Sequence, residues 1–383
     1  MSAKTGESLS RRDLIQAASI AATVGGAAAA GAAKAQPALG LPPAPASSRI
    51  LGNATPVGGV FWTVETTSGK VQGIANGRVK EFKGIPYGAS TGGKNRYMAP
   101  KKPTPWAGVR NCIGYGPISP QTPASLDSDY SMMIAWDRHV GPGGMGEDCL
   151  NLNVWTPSVN DHAKRPVLVS FHGGGWATGS GNGPMYDGAQ MARLGDVVVV
   201  TVNHRLAANG YLHLAGLGAP AEFANAGNCG VMVASLRWVR DNIERFGGDP
   251  GRVMIFGQSG GGSKTSTLLA VPSAKGLFHR AAVQSGSTLK QATPEQATAE
   301  AAKLLKVLGI AKGNVAAIQQ VPWQTLLEAQ VASNGNFRPV VGDATLPHHP
   351  FDPAAPSESA DVPVIISTTL HDAALRLTNF DLD

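Results

Sequence analysis

The sequence predicts an α/β protein with a mostly parallel central sheet flanked by helices and a small antiparallel β region at its N-terminal side. Three observations predict it. Unbroken apolar runs recur at 167–171, 197–202, 252–256, 281–284 and 362–366, and runs without alternation suit strands covered on both faces. Between them, 231–246 carries apolar residues at helical spacing (Val233, Leu236, Val239, Ile243), and strands alternating with helices indicate parallel layering. Glycine-rich motifs follow two of the strands directly, where the sites of such sheets gather.

From the N-terminus onward, residues 1–35 read as an export signal. Ser10-Arg11-Arg12-Asp13 holds a twin arginine, 17–33 is rich in Ala and Gly, and Ala33-Lys34-Ala35 is a small-x-small cleavage site before Gln36. This is the layout of a bacterial twin-arginine signal, and it implies a periplasmic or secreted protein. A membrane span is disfavoured because Ala and Gly gain little on leaving water and Lys34 closes the stretch. Residues 36–57, rich in Pro, Ala and Ser, read as a flexible lead-in. The rest, 58–383, reads as one domain without internal repeat. Within it, 62–88 has turn signals at Ser68-Gly69 and Asn76-Gly77 and reads as an antiparallel meander.

Composition narrows the classes. Of 383 residues, 43% are hydrophobic and 15% charged, which excludes a solvated disordered chain. The net charge of +6 is scattered, with no basic run interleaved with aromatics, so nothing points to nucleic acid. Three cysteines cannot all pair within the chain, which excludes a disulfide-built scaffold.

Three motifs carry chemistry. Gly257-Gln258-Ser259-Gly260-Gly261 follows a strand and opens a helix. In that context G-x-S-x-G forms a nucleophile elbow, a strained turn that lifts the serine hydroxyl above the sheet, and the helix N-terminus aims free amides at developing negative charge. His172-Gly173-Gly174-Gly175-Trp176 also follows a strand; acyl transfer needs backbone N–H groups already aimed at the oxyanion, and glycines let the backbone approach it. A phosphate-cradling loop is the alternative, but neither GxxxxGK[ST] nor GxGxxG fits. Third, the strand at 362–366 leads to Asp372, either a site acid at a strand end or an ordinary solvated carboxylate. His348-His349 lies in a Pro-bounded loop without a further ligand at suitable spacing, a poor metal site.

Gly84-Ile85-Pro86-Tyr87, Glu147-Asp148-Cys149-Leu150-Asn151-Leu152-Asn153-Val154, the loop at 172–176, Asn203-His204-Arg205-Leu206, Phe246-Gly247-Gly248-Asp249-Pro250, the Ser259 elbow and Gln284-Ser285-Gly286 stand in one order along the chain. In that order the chain resembles the type-B carboxylesterases, the α/β-hydrolase family of para-nitrobenzyl esterases and cholinesterases, from about residue 63 to its end. The resemblance implies hydrolysis of a small-molecule ester through an acyl-enzyme, with no metal or organic cofactor. It implies Ser259 as nucleophile, the amides of Gly174, Gly175 and Gly260 as the oxyanion hole, Asp372 as the acid and Ser285 as a hydroxyl near that acid. Tyr130, Met132, Met133, Trp136 and Trp176 are candidates for an apolar gorge wall or for ordinary packing. The ester and the oligomeric state are not readable.

Four departures from the family stand out. The acid is Asp where relatives carry Glu. Cys149 meets Ser119 where relatives carry the partner cysteine, leaving Cys112–Cys149 as an alternative bridge and Cys229 as a buried thiol. Gly230-Val231-Met232-Val233 lacks an Asp that relatives carry before the helix. Finally, no His follows Asp372 up to Asp383, and without imidazole a serine hydroxyl is a poor nucleophile at neutral pH. The expectation is an esterase chain truncated at its C-terminal side; a catalytically disabled protein, or a cholinesterase-like binding module, is the alternative.

If the first 35 residues are an export signal, N-terminal sequencing of the exported protein should begin at Gln36. Exported protein beginning at Met1 would refute the cleavage site.

Overall fold

The computed structural model describes residues 59–123, 144–220, 222–223, 228–370 and 372. The expected export signal and lead-in, Tyr130, Met132, Met133, Trp136, His139 and His371 lie outside the described residues.

The described strands form one ten-stranded sheet. They are β1 (Phe61–Thr66), β2 (Gly69–Asn76), β3 (Val79–Pro86), β4 (Val109–Asn111), β5 (Asn151–Thr156), β6 (Arg165–Phe171), β7 (Val198–Val202), β8 (Gly248–Gln258), β9 (Arg280–Gln284) and β10 (Val364–Ser367). Their order is β1-β2-β3-β5-β7-β6-β8-β9-β10, with β4 beside β2. Along that order the pairs from β1 to β7 are antiparallel, those from β7 through β6, β8 and β9 to β10 are parallel, and β4 pairs parallel with β2. The expected meander is there, with its turns at the expected Gly69 and Gly77. It continues through β5 into the parallel half as one sheet.

The central strands hold the sheet together. Every residue of β5 and of β7 is buried. β7 does this with four valines and Thr201, β-branched side chains that pack well on a pleated surface. β5 buries Asn151 and Asn153 as well, and their amides are fully engaged. Asn153 Oδ1 accepts from the Gly84 amide (2.9 Å), and its Nδ2 donates to Thr201 Oγ1 (2.9 Å) and Asn182 Oδ1 (3.1 Å). Asn203, just past β7, donates to Asn151 Oδ1 and Asn182 Oδ1 and accepts from the Ser180 hydroxyl and the Gly181 amide. A buried polar network satisfied in this way specifies one arrangement of its strands and of the 180–182 loop.

The helices are α1 (Ala189–Gly195), α2 (Ala207–Tyr211), α3 (Gly230–Asn242), α4 (Gly260–Leu268), α5 (Pro294–Val307) and α6 (Trp323–Ser333). The period expected over 231–246 forms α3 and then tightens into a 3-10 turn at Ile243–Phe246. α5 starts at a capping box in which Thr293 and Gln296 exchange hydrogen bonds, satisfying two otherwise orphan donors. α4 packs on β6, β8 and β9.

One expectation is corrected, and one open alternative is decided. The run at 362–366 was expected to be buried on both faces, yet all four residues of β10 are exposed, Ile365 to 64% and Ile366 to 61%. β10 ends the strand order and pairs with β9 alone among the described strands. The Cys112–Cys149 bridge is not formed: Cys112, Cys149 and Cys229 are all free and buried. Burial pushes the Cys112 and Cys149 thiols up to about 12, where they are unreactive. The Cys149 thiol is instead hydrogen-bonded with Ser119.

Arg96 and Glu147 form a two-pronged ion pair, Nε to Oε1 at 2.6 Å and Nη2 to Oε2 at 2.7 Å, with side chains 6% and 12% exposed. Arg96 also donates to the carbonyls of Ile318 and Gln319, tying distant segments together. Glu147→Ala would leave the guanidinium buried and unpaired. Urea unfolding should show a loss of about 3–5 kcal/mol, and a loss below 1 kcal/mol would show the pair to be dispensable.

Candidate active site

The site forms where β6 and β8 end side by side. β8 delivers Ser259, which has φ 56° and ψ −121°, a left-handed region that costs a non-glycine residue about 1–3 kcal/mol. The surroundings hold it there. Its amide donates to Gln284 O at 2.9 Å, and its carbonyl accepts from the Ser263 amide at 3.0 Å as α4 begins. Ser259 is exposed, and its hydroxyl has no hydrogen-bond partner among the described residues.

The turn has no room for side chains at its glycines. A Cβ on Gly261 would lie 2.0 Å from Phe171 O at the end of β6, and one on Gly260 would lie 2.3 Å from the Gly175 amide nitrogen. The first turn of α4 therefore rests directly on the backbone of β6 and of the loop that follows.

That loop has a complete hydrogen-bond account. The Gly173 amide donates to Tyr186 Oη at 2.7 Å. Gly173 O meets His172 Nδ1 at 2.8 Å, and Gly174 O accepts from the Ala177 and Thr178 amides. His172 O and Gly175 O each accept from Lys264 Nζ at 2.8 Å. The amides of Gly174, Gly175 and Gly260 donate to no group among the described residues, and Gly174 and Gly175 are exposed. The predicted nucleophile and the three predicted amides thus share one corner of the sheet.

The predicted acid is placed less completely. Asp372 is exposed, in a turn beyond β10, and makes no hydrogen bond or ion pair among the described residues. β10, β9 and β8 run parallel, so Asp372, Ser285 and Ser259 all lie past the same edge of the sheet. Ser285, φ 47°, donates its amide to Ser367 O at 2.7 Å, which fixes the end of the strand leading to Asp372. No hydrogen bond joins Asp372 to Ser259 or Ser285.

Beneath the loop, the rings of His172 and His204 stack at 4.8 Å, 12° from parallel. Burial, then the charge of Lys264, holds both well below the ordinary histidine value, His204 at about 3. Both are neutral supports beneath the loop. His348 is tied to Glu358 Oε1 at 3.2 Å, and no cluster of three or more His, Cys, Asp or Glu among the described residues could hold a metal ion.

Trp176 is the one gorge candidate among the described residues. Its Nε1 donates to Ser263 Oγ at 3.2 Å and its ring meets Tyr211 edge-on. It borders a cavity of about 360 Å³ that opens from Gly175 and includes Ser263, Thr288, Phe337 and Arg338. A larger cavity of about 770 Å³, bordered by His213, Glu295 and Asp343, touches neither the elbow nor the loop, so size alone does not locate the site. Sequence reasoning missed Lys264 and Tyr186. The one signal for Lys264 was a charge in a helix whose remaining residues are Gly, Ser, Thr and Leu.

Gly261→Ala should lower stability by about 3 kcal/mol or more, because backbone must move to admit the methyl. Thermal unfolding by circular dichroism reads this directly, and an unchanged melting temperature would show the elbow to be looser than its geometry.

The comparisons with known proteins bear on this geometry. The carboxylesterase family profile matches residues 62–382. The chain is 37% identical to the para-nitrobenzyl esterase of Bacillus subtilis over 82% of its own length and 64% of that protein's. It is 36% identical to the phenmedipham hydrolase of Pseudarthrobacter oxydans, covering 79% and 60% of the two chains. Among solved structures it is similar to a carboxylesterase of Geobacillus stearothermophilus (TM-score 0.71, 38% identity, 80% of this chain and 61% of that one). It is likewise similar to a thermophilic PNB esterase (TM-score 0.74, 36% identity, 83% and 65%). The chain spans under two thirds of the length of these relatives. Its mixed sheet flanked by helices is the α/β-hydrolase fold, and the chain belongs to the carboxylesterase family.

Proposed function

We propose that the whole protein hydrolyses carboxylic esters of small molecules through a serine acyl-enzyme. One observation carries the reading: an exposed serine, held in a strained turn, stands beside three backbone amides that nothing else in the described protein claims. In this reading Ser259 Oγ attacks the ester carbonyl carbon. The carbonyl oxygen takes up the negative charge and receives hydrogen bonds from Gly174, Gly175 and Gly260. Such preorganised donors act where water is excluded and need no reorganisation during the reaction.

The serine proton passes to an imidazole oriented by the acid, for which Asp372 is our assignment. The same proton leaves with the alcohol, and the acyl group remains on Oγ. Water then adds to the acyl carbon by the same route and releases the acid. Among the described histidines, His172, His204, His279, His348 and His349 make their hydrogen bonds elsewhere. The chemistry is therefore assigned to the whole protein. A pure binding role would leave the strained serine without purpose, and the strain favours the enzyme.

For its location we propose export through the twin-arginine route, supported by Arg11-Arg12 and the Ala33-Lys34-Ala35 site.

A fluorophosphonate probe on the whole protein should label Ser259. Ser259→Ala should remove both the label and turnover of p-nitrophenyl acetate, with kcat falling by roughly 10⁴-fold or more. Labelling that persisted at Ser263 or Ser285 would sink the assignment.

A further inference from the structure

Lys264 is fully buried, has no acidic partner among the described residues, and is untouched by the chemistry proposed above. A lone ammonium in a core is expensive, and a neutral residue of similar length would avoid the cost. What the ammonium does touch is specific. Its Nζ donates to His172 O and Gly175 O, both at 2.8 Å, and lies 5.6 Å from the centre of the Trp176 ring.

These two carbonyls bracket the loop. His172 O belongs to the peptide just before Gly173, and Gly175 O to the peptide just after Gly175. Between them lie the two peptides whose N–H groups, on Gly174 and Gly175, stand unclaimed. The intervening carbonyls of Gly173 and Gly174 are bonded within the loop itself. Gly174 and Gly175 both have left-handed φ, 86° and 62°, so side chains give these peptides no restraint against rotation. The restraint comes from outside, through one side chain on the helix that begins at Ser259.

We infer that Lys264 is a positioning residue for ester hydrolysis, stapling the oxyanion loop at both ends to the helix that carries the nucleophile. One rigid link then sets the distance between serine and amides. Burial, the cause of its lowered pKa of about 7, does not undo the staple, since the neutral amine keeps two N–H groups for two carbonyls.

The inference rests on the esterase reading, and its test separates the two. Full-length chain is compared with Lys264→Met, which keeps the length and loses the donors, and Lys264→Gln, which keeps an NH₂ group. Hydrogen exchange over 172–178 should accelerate about tenfold or more in the Met variant and less in the Gln variant. In p-nitrophenyl acetate hydrolysis, kcat should fall about 10- to 100-fold in the Met variant with KM within about threefold, and Gln should lie between. A purely packing role would move stability and leave this kcat order absent. A folded Met variant with wild-type exchange and kcat overturns the inference, as does faster exchange with unchanged kcat. If the Met variant does not fold, wild-type exchange in the Gln variant overturns it. If the wild-type protein hydrolyses no ester, the esterase reading fails, and exchange alone decides whether Lys264 holds the loop.

Discussion

The rest of the site depends on one contact, the backbone of α4's first turn lying directly on the backbone at the end of β6. At Gly261 a single methyl would fall 2.0 Å from Phe171 O. Helix and strand can come this close only because no side chain intervenes. The approach sets the turn angle, the turn angle puts Ser259 at φ 56°, and the same approach brings Gly260 against Gly175. Nucleophile and oxyanion donors are thus brought together by one backbone packing event, which the Lys264 hydrogen bonds to His172 O and Gly175 O then hold.

Around that contact, hydrogen bonding is selective. The carbonyls of residues 172 to 175 all have donors, and one amide, that of Gly173, is taken by Tyr186. Buried polar backbone normally pairs, so the amides of Gly174 and Gly175, in the exposed part of the loop, and of buried Gly260 stand out because no described group accepts from them beside the exposed serine. The cations and rings beneath follow the same logic. His172 and His204, kept neutral by burial, can stack without mutual repulsion under a loop that must not move.

The antiparallel half of the sheet serves the site at a distance. Asn153 and Asn203 lock β5 and β7 to the 180–182 segment, which lies shortly after the oxyanion loop in sequence. Arg96 and Glu147 tie the region before β5 to the backbone at 318–319. These buried polar links are satisfied atom by atom, so they fix register as well as adding stability.

Much of this was legible in the sequence because it is local. The elbow and the glycine loop each need particular residues within five positions, and the runs at 167–171 and 197–202 declare buried strands by themselves. The turns at Gly69 and Gly77 and the helix at Gly230–Asn242 are local too. What the sequence did not decide depends on partners distant along the chain. The apolar run of β10 looks buried, yet burial belongs to whatever packs against a strand, and β10 has one strand neighbour among the described residues. The family resemblance left Cys112–Cys149 open as an alternative bridge, while the packing puts Ser119 against Cys149 and leaves both cysteines free. Lys264 is one Lys among 32 basic residues until α4 is laid on β6. Then its ammonium is seen to end between two carbonyls 92 and 89 residues earlier in the chain, because only the tertiary fold brings them within a hydrogen bond's reach.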